Sequence, residues 1–426
     1  MLSMYDTWVE GAEQGKLTGV AMADMSAAFD VADIEILLAK ARLLGFSRAT
    51  EQWLWSYLTG RSQCVTISGA TSSTLPLEAG VPQGSILGPA LYTLLTSDLP
   101  EIVHEQDCPQ ERQEGGEAAS FRTQCIECGG ITCFADDSTY CVTAATEEEL
   151  AEKISRKFQG MSSYFRENRL CINTEKTHSM VICTSRKRRH VNTMAVKLET
   201  GVETITPTPV ERLLGVQVQQ DLGFGQHLVG DRSSLVSSLD TRIKALKQVS
   251  RVSNFKTRLS VCSALIVSKI LYMLPWYGGA PEYMLTALQK RLNEAMRVVT
   301  RRRWEVLGRR LTSTEELLKQ CNYLSVRQMA VYHSLVLVHN VLLHQAPVHL
   351  FQILRQALHS GVQHQYETRT AGTRQVAPAR LAAANTSWRW RAAAQYAALP
   401  VELREEGSLE AFKSGLRRHV ITNVAI

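Results

Sequence analysis

The sequence predicts an α+β protein: a sheet with helices on one face in the N-terminal half, then a region that is helical throughout. Three observations predict this. Short apolar runs of strand length end at or flank polar turns at Val20 to Asp24, Ile131 to Phe134, Thr139 to Thr143, His178 to Cys183 and Leu213 to Gln219. Helical patterns are interspersed among them, the longest from Glu147 to Asn168. From Leu228 onward strand-like runs give way to apolar residues at helical spacing, at Leu235 to Val252, Lys256 to Met273 and Tyr283 to Arg303.

In chain order, the residues before Asp24, with Trp8 and Lys16 among them, read as one helix and a turn leading into the first strand. Val31 to Gly45 carries apolar residues at helical spacing, and Arg48 to Leu58 continues as a second helix. Strands are expected at Gln63 to Ser68 and Thr74 to Glu78, followed by an apolar helix from Ile86 to Leu95. Thr146 followed by three glutamates is a good helix start, because a hydroxyl can cap the first free amides and acidic groups suit the positive end of the helix dipole. The strands at His178 and Leu213 then complete a mixed sheet.

A length of 426 residues suggests two or three domains of about 150 residues each, enough for sizeable cores. The net charge of +6 fits binding to a polyanion. No charged-then-apolar leader opens the chain, and the most apolar helical stretch, Leu259 to Tyr277, is interrupted by Lys269 and Pro275, so no membrane span is expected. No internal repeat is present.

The chemistry concentrates in three places. Asp136 and Asp137 are adjacent carboxylates between apolar runs, an arrangement that repels unless a cation offsets it. Asp24, at the end of its strand, is a candidate third carboxylate, and three carboxylates on two strands suit two Mg²⁺ ions. A tight hairpin turn is the alternative reading of Asp136-Asp137, since Asp favours turns. Between these motifs, Gly80-Val81-Pro82-Gln83-Gly84-Ser85 leads into the apolar helix, and glycines there let backbone approach a ligand closely. An ordinary strand-to-helix turn is its alternative.

Asp24 to Asp33, Gly80 to Pro89 and Phe134 to Asp137 together resemble motifs A, B and C of reverse transcriptases, most of all those of non-LTR (LINE-like) retrotransposons. Asn173-Thr174-Glu175-Lys176-Thr177 is similar to motif D, and Glu211 to Val216 to the segment joining palm to thumb. The likeness covers about residues 1 to 305. It implies a right-hand polymerase palm, an antiparallel sheet with helices on one face, followed by an α-helical thumb and a helical C-terminal region. The boundaries expected are 1–226 for the palm with a Cys-rich insert at about 101–130, 227–305 for the thumb, 306–359 for a helical connection, 360–386 for a linker and 387–426 for a C-terminal segment.

The resemblance also implies roles. Asp24, Asp136 and Asp137 would hold two Mg²⁺ ions, with Met25 offering a backbone carbonyl. Phe29 would pack on the incoming sugar and exclude a 2′-hydroxyl. Gln83, Gly84 and Ser85 would lie near the template base and the incoming dNTP, and Lys176 near the leaving pyrophosphate. Lys244, Lys247, Arg251, Arg258, Arg301 and Arg302 of the thumb would contact an RNA template and DNA primer. The activity implied is RNA-directed DNA polymerisation in a nuclear and cytoplasmic ribonucleoprotein, with an endonuclease domain in cis in the full element or in trans. The family places a fingers region ahead of motif A, where 23 residues stand here, so a remnant that binds nucleic acid without catalysis is the alternative.

The 10 cysteines are expected to be free or metal-bound rather than bridged. His104, Cys108, Cys125 and Cys128 have near zinc-ligand spacing in a polar insert with too few apolar residues to fold by burial alone, which makes them a candidate structural Zn²⁺ set. A disordered insert with incidental cysteines is the alternative. Cys133 and Cys141 are expected in the core. Ser185 to His190 is a basic string that could bind nucleic acid or direct nuclear import, and Trp388-Arg389-Trp390-Arg391 is expected to pack rather than to stack on bases.

Overall fold

The computed structural model describes residues 1–25, 27–100, 124–125, 129–183, 196–200, 203–302, 305–306, 309–310, 312–359 and 387–425. They form two compact units, Gly15–Pro209 and a second made of Met1–Gln14 with Val210–Ile426. The insert with His104, Cys108 and Cys128, the basic string at 185–190 and the expected linker at 360–386 lie outside the described residues, as does the Cys125 side chain.

The first unit is built on a five-stranded antiparallel sheet in the order Gln124–Cys125, Gly129–Phe134, Asp137–Ala144, Leu17–Met25, Ile172–Ile182. Strand alternation decides what each face carries. Leu17, Ala21, Ala23 and Met25 of the central strand share a core with Tyr140, Val142 and Ala144 of its neighbour and with Leu150, Ile154 and Phe158 of the helix Glu147–Glu167. Gly19 lies in the same row, and a Cβ there would come within 2.9 Å of Ile154, so its lack of a side chain lets the helix close on the sheet. The Tyr140 hydroxyl donates to the Ile154 carbonyl at 3.0 Å and ties the two layers. Asp24 and Asp137 fall on the opposite face, away from this helix.

The helix starts where the sequence predicts. Thr146 accepts from the Glu149 amide at 3.3 Å, and the Glu149 carboxylate in turn accepts from the Ala145 amide at 3.0 Å. Ile34–Leu43 and Arg48–Leu58 also form, capped by Asp33 and Ser47. Two expectations are corrected. The sheet is antiparallel rather than mixed, and Leu213 to Gln219 does not join it. Val210–Leu213 and Val216–Gln219 pair only with each other, in the second unit, because Leu214 and Gly215 at positive φ turn the chain back at once. Gln63 to Ser68 and Thr74 to Glu78 likewise stay apart, as short ribbons pairing Arg61–Gln63 with Leu75–Leu77 and Thr66–Ile67 with Ala70–Thr71.

Among the described residues the second unit is helical apart from that hairpin and a short ribbon pairing Glu305–Val306 with Arg309–Arg310. Its N-terminal helix Leu2–Glu13 buries Tyr5 and Trp8, and Tyr5 stacks on Phe224 at 5.9 Å while its hydroxyl donates to the Leu222 carbonyl. Leu235–Ser250 and Glu282–Thr300 form close to expectation, whereas the predicted helix from Lys256 is broken by a π-helical turn at Ser263–Val267 and ends at Leu271. Trp388 is buried among Leu335, Val338, Phe412 and Leu416, and Arg391 donates to the Pro275 carbonyl at 2.6 Å. The Trp388–Arg391 string therefore packs, as expected. Among the described residues no helix is long and apolar enough to cross a membrane, and the described cysteines are free thiols, with Cys141 buried and burial pushing the Cys133 thiol up.

Candidate active site

Asp136 and Asp137 sit at a hairpin whose two turn residues, Ala135 and Asp136, join strands paired at Phe134 and Asp137. The tight-turn reading of the motif holds. Ala135 takes a left-handed φ of 53°, costly for a residue with a Cβ. The ladder that pairs Ala23 with Ser138 sets Asp24 beside Asp137 on the face away from the long helix. The Asp137 carboxyl is pushed up, first by burial and then by the negative charges of Asp136 and Asp24.

Asp24 carries the sharper signal. Among the described residues its buried Oδ2 accepts no hydrogen bond, and the Lys176 ammonium forms an ion pair with it at 3.5 Å. Lys176 reaches it through a bulge. Met22 pairs with His178 and Asp24 with Asn173, so the four residues Thr174 to Thr177 bow out opposite Ala23 alone. Asn173 holds the bulge, its side chain accepting from the Lys176 amide at 3.3 Å and its carbonyl from the Thr177 hydroxyl at 2.7 Å. Met25 is buried in the core, which leaves its backbone carbonyl as the group it can offer.

The Gly80–Ser85 loop is moored to the turn that follows Asp24. The Gly80 amide donates to the Ala32 carbonyl at 2.9 Å and the Val81 amide to the Phe29 carbonyl at 2.7 Å. Gln83 donates to Asp30 Oδ1 at 2.9 Å. Ser85 turns its hydroxyl inward, donating to the Pro82 carbonyl at 2.7 Å and accepting from the Gly88 amide at 2.9 Å, so its side chain shapes the loop. Gly84, at φ 75°, has open space where a Cβ would stand. Two residues here are not singled out by sequence. Arg61 clamps the loop from behind, donating to the carbonyls of Leu58, Ala79 and Gly80 at 2.7, 3.1 and 2.5 Å. Tyr92 stacks beneath Phe29 at 4.8 Å between ring centroids. Arg61 after Gly60 and Tyr92 in an apolar helix carry no local signal that distinguishes them.

The basic residues assigned to the thumb separate into two kinds. Lys244, Arg251 and Arg302 are exposed, as are Lys247, paired with Glu294 at 2.7 Å, and Arg301, which donates to the Ser250 carbonyl at 2.9 Å. Arg258 corrects the expectation. It is 6 % exposed and its guanidinium donates to the carbonyls of Val299 and Ser253 at 2.8 and 2.5 Å, which ties helix ends together in place of an exposed phosphate contact.

Residues 3–218 match the family model described as reverse transcriptase (RNA-dependent DNA polymerase). The chain belongs to the reverse transcriptase family. Curated relatives are transposon proteins. It is 26% identical over 254 residues to the probable RNA-directed DNA polymerase from transposon X-element of Drosophila melanogaster, covering 59% of this chain and 25% of that one. It is 24% identical over 303 residues to the RNA-directed DNA polymerase from mobile element jockey of Drosophila funebris, covering 70% of this chain and 30% of that one. This reverse-transcriptase-family chain thus spans 25% and 30% of the length of these two relatives. Among solved structures, telomerase from Candida albicans aligns over 77% of this chain and 51% of its own at 11% identity, with a TM-score of 0.35, too loose a likeness to carry an argument.

The site residues suit divalent metal. Mg²⁺ takes one or two carboxylates and completes its shell with water and phosphate oxygens, so a sparse oxygen-only set is the right donor chemistry. Asp24 Oδ2 is buried and meets the Lys176 ammonium at 3.5 Å, and the negative charges of Asp136 and Asp24 push the Asp137 carboxyl up, a concentration of negative charge that a bound cation would offset. Among the described residues no three His, Cys, Asp or Glu side chains are grouped so that they could hold a metal ion by themselves.

Proposed function

We propose that this chain is the RNA-directed DNA polymerase module of a non-LTR retrotransposon, extending a primer 3′-hydroxyl on an RNA template. The observation that carries the reading is the adjacency of Asp24 and Asp137 on neighbouring strands, with Asp136 beside them in the turn and both of the other charges bearing on Asp137. Asp24, Asp136 and Asp137, with the Met25 carbonyl, would hold two Mg²⁺ ions, which when bound supply activation of the attacking oxygen and stabilisation of the leaving one. Phe29 lines the place of the incoming sugar and its ring excludes a 2′-hydroxyl. Gln83, held by Asp30, and Gly84, with open space above it, face the template base and the dNTP. Lys176 turns from Asp24 to the departing pyrophosphate, where its ammonium offsets developing charge and can give up a proton. Lys244, Arg251 and Arg302, joined by Lys247 and Arg301, contact the phosphates of the RNA template and DNA primer.

The test is Mg²⁺-dependent dNTP incorporation on an RNA-templated DNA primer. Asp136→Ala and Asp137→Ala should each lower it by at least ~100-fold, in the range that loss of electrostatic stabilisation at a reacting centre commonly costs. Incorporation that survives either substitution would remove the site assignment. Salt-sensitive primer–template binding by the native chain without any incorporation would make it a binding remnant.

A further inference from the structure

Phe29 is half-exposed, so something must hold its ring if it is to discriminate between sugars that differ by one hydroxyl. Its backbone is fixed by the Val81 amide at its carbonyl. Its ring has one aromatic partner, Tyr92, at 4.8 Å with 28° between the planes. Tyr92 is 2 % exposed, on the helix Gly88–Leu95 that the Gly80–Ser85 loop introduces.

We propose that Tyr92 is a positioning residue for sugar selection: its ring supports Phe29 from beneath and keeps it where a ribose 2′-hydroxyl would collide. The inference rests on the reading of Phe29 as the residue that excludes that hydroxyl. Offset stacking restricts Phe29 to one ring orientation, and an aliphatic side chain in its place fills volume without offering a flat face. Aromatic pairing of this kind sets the scale, so loss of the support should lower the preference for dNTP over rNTP by roughly 2- to 12-fold. The support depends on the ring, since the hydroxyl lies at the far end of the phenol.

The experiment measures affinity for the next correct dNTP and for the matching rNTP in complexes of the whole chain with an RNA template and a dideoxy-terminated primer in Mg²⁺, where no chemistry occurs. Phe29→Val, Tyr92→Leu, Tyr92→Met and Tyr92→Phe are compared with the native chain after thermal melts establish folding. The expected result is a reduced dNTP preference in Phe29→Val, Tyr92→Leu and Tyr92→Met, and an unchanged preference in Tyr92→Phe. A folded Tyr92→Leu or Tyr92→Met chain with native preference, beside a Phe29→Val chain that has lost it, overturns the role of Tyr92 and leaves that of Phe29 standing. Native preference in Phe29→Val, or none in the native chain, overturns both. If neither the Leu nor the Met variant folds while Tyr92→Phe does, Tyr92 is a core residue and the proposal fails.

Discussion

Gly80→Ala should separate the Gly80–Ser85 loop from the turn after Asp24. Gly80 has φ 86°, and a Cβ there would stand 2.5 Å from the Asp30 carbonyl oxygen and 2.9 Å from that of Phe29. Both obstacles are backbone, so no side chain can swing aside. Left-handed φ costs a non-glycine residue about 1–2 kcal/mol. Relief of the clash requires the loop to withdraw and to stretch two hydrogen bonds, Gly80 to Ala32 and Val81 to Phe29, each contributing about 0.5–1.5 kcal/mol. The sum is ~2–5 kcal/mol. Gly84→Ala is the internal control, because φ is 75° there but nothing lies within 4 Å of the new Cβ, so only the backbone term applies. Native-state hydrogen exchange at the Val81 amide reads the loss where it occurs, since that proton is released when loop and turn part. Gly80→Ala should lower its protection by ~30-fold to several thousand-fold, at about 1.4 kcal/mol per tenfold, and Gly84→Ala by no more than the ~5- to 30-fold of the backbone term. If Val81 protection in Gly80→Ala stays within tenfold of native, the close approach does not govern this junction.

Two further predictions concern the helical unit. Asp6 is buried, accepts from Ser387 and has its other oxygen without a partner, and burial raises its pKa from 3.8 to about 6 against the opposing pull of Ser387 and Arg389. The folded state therefore holds this proton more tightly than the unfolded chain, so the contribution to stability is full below about pH 4, falls as pH rises towards 6 and is lost above it, by roughly 3 kcal/mol. Urea unfolding between pH 4.5 and 7.5 should show that slope in the native chain and a flatter profile in Asp6→Asn; parallel profiles would contradict it. Arg258→Ala should destabilise the unit by about 1–3 kcal/mol by removing a donor from the buried Val299 carbonyl and from the part-buried Ser253 carbonyl, with the salt dependence of nucleic-acid binding unaltered. Lys244→Ala and Arg302→Ala should do the reverse, leaving stability within about 0.5 kcal/mol and reducing the slope of log K on log salt by about 1 each; a salt-slope change in Arg258→Ala would return that residue to the phosphate-contacting set.

Short-range chemistry was legible in the chain. Asp24 at a strand end, Asp136-Asp137 at a turn and the Thr146 cap each depend on neighbours a few residues away, and the motifs also occur in the order that identifies the family. Side-chain alternation then puts Asp24 and Asp137 on one face once their strands are adjacent. What the chain could not show are choices between partners distant in sequence. Val210 to Gln219 has the same strand pattern whether it joins the sheet or pairs with itself, and Arg258 looks like any helix arginine until Val299 and Ser253 close around it. Lys176 reads as one basic residue in a polar string, and only the four-against-one bulge brings its ammonium to Asp24. Arg61 and Tyr92 matter because of what folds against them, the carbonyls of Ala79 and Gly80 and the ring of Phe29. Sequence by itself determined which groups are present and which local backbone they occupy, because propensity, capping and alternation act over a few residues. Tertiary structure decided which of those groups face each other and which are buried, because desolvation and packing depend on segments tens to hundreds of residues apart.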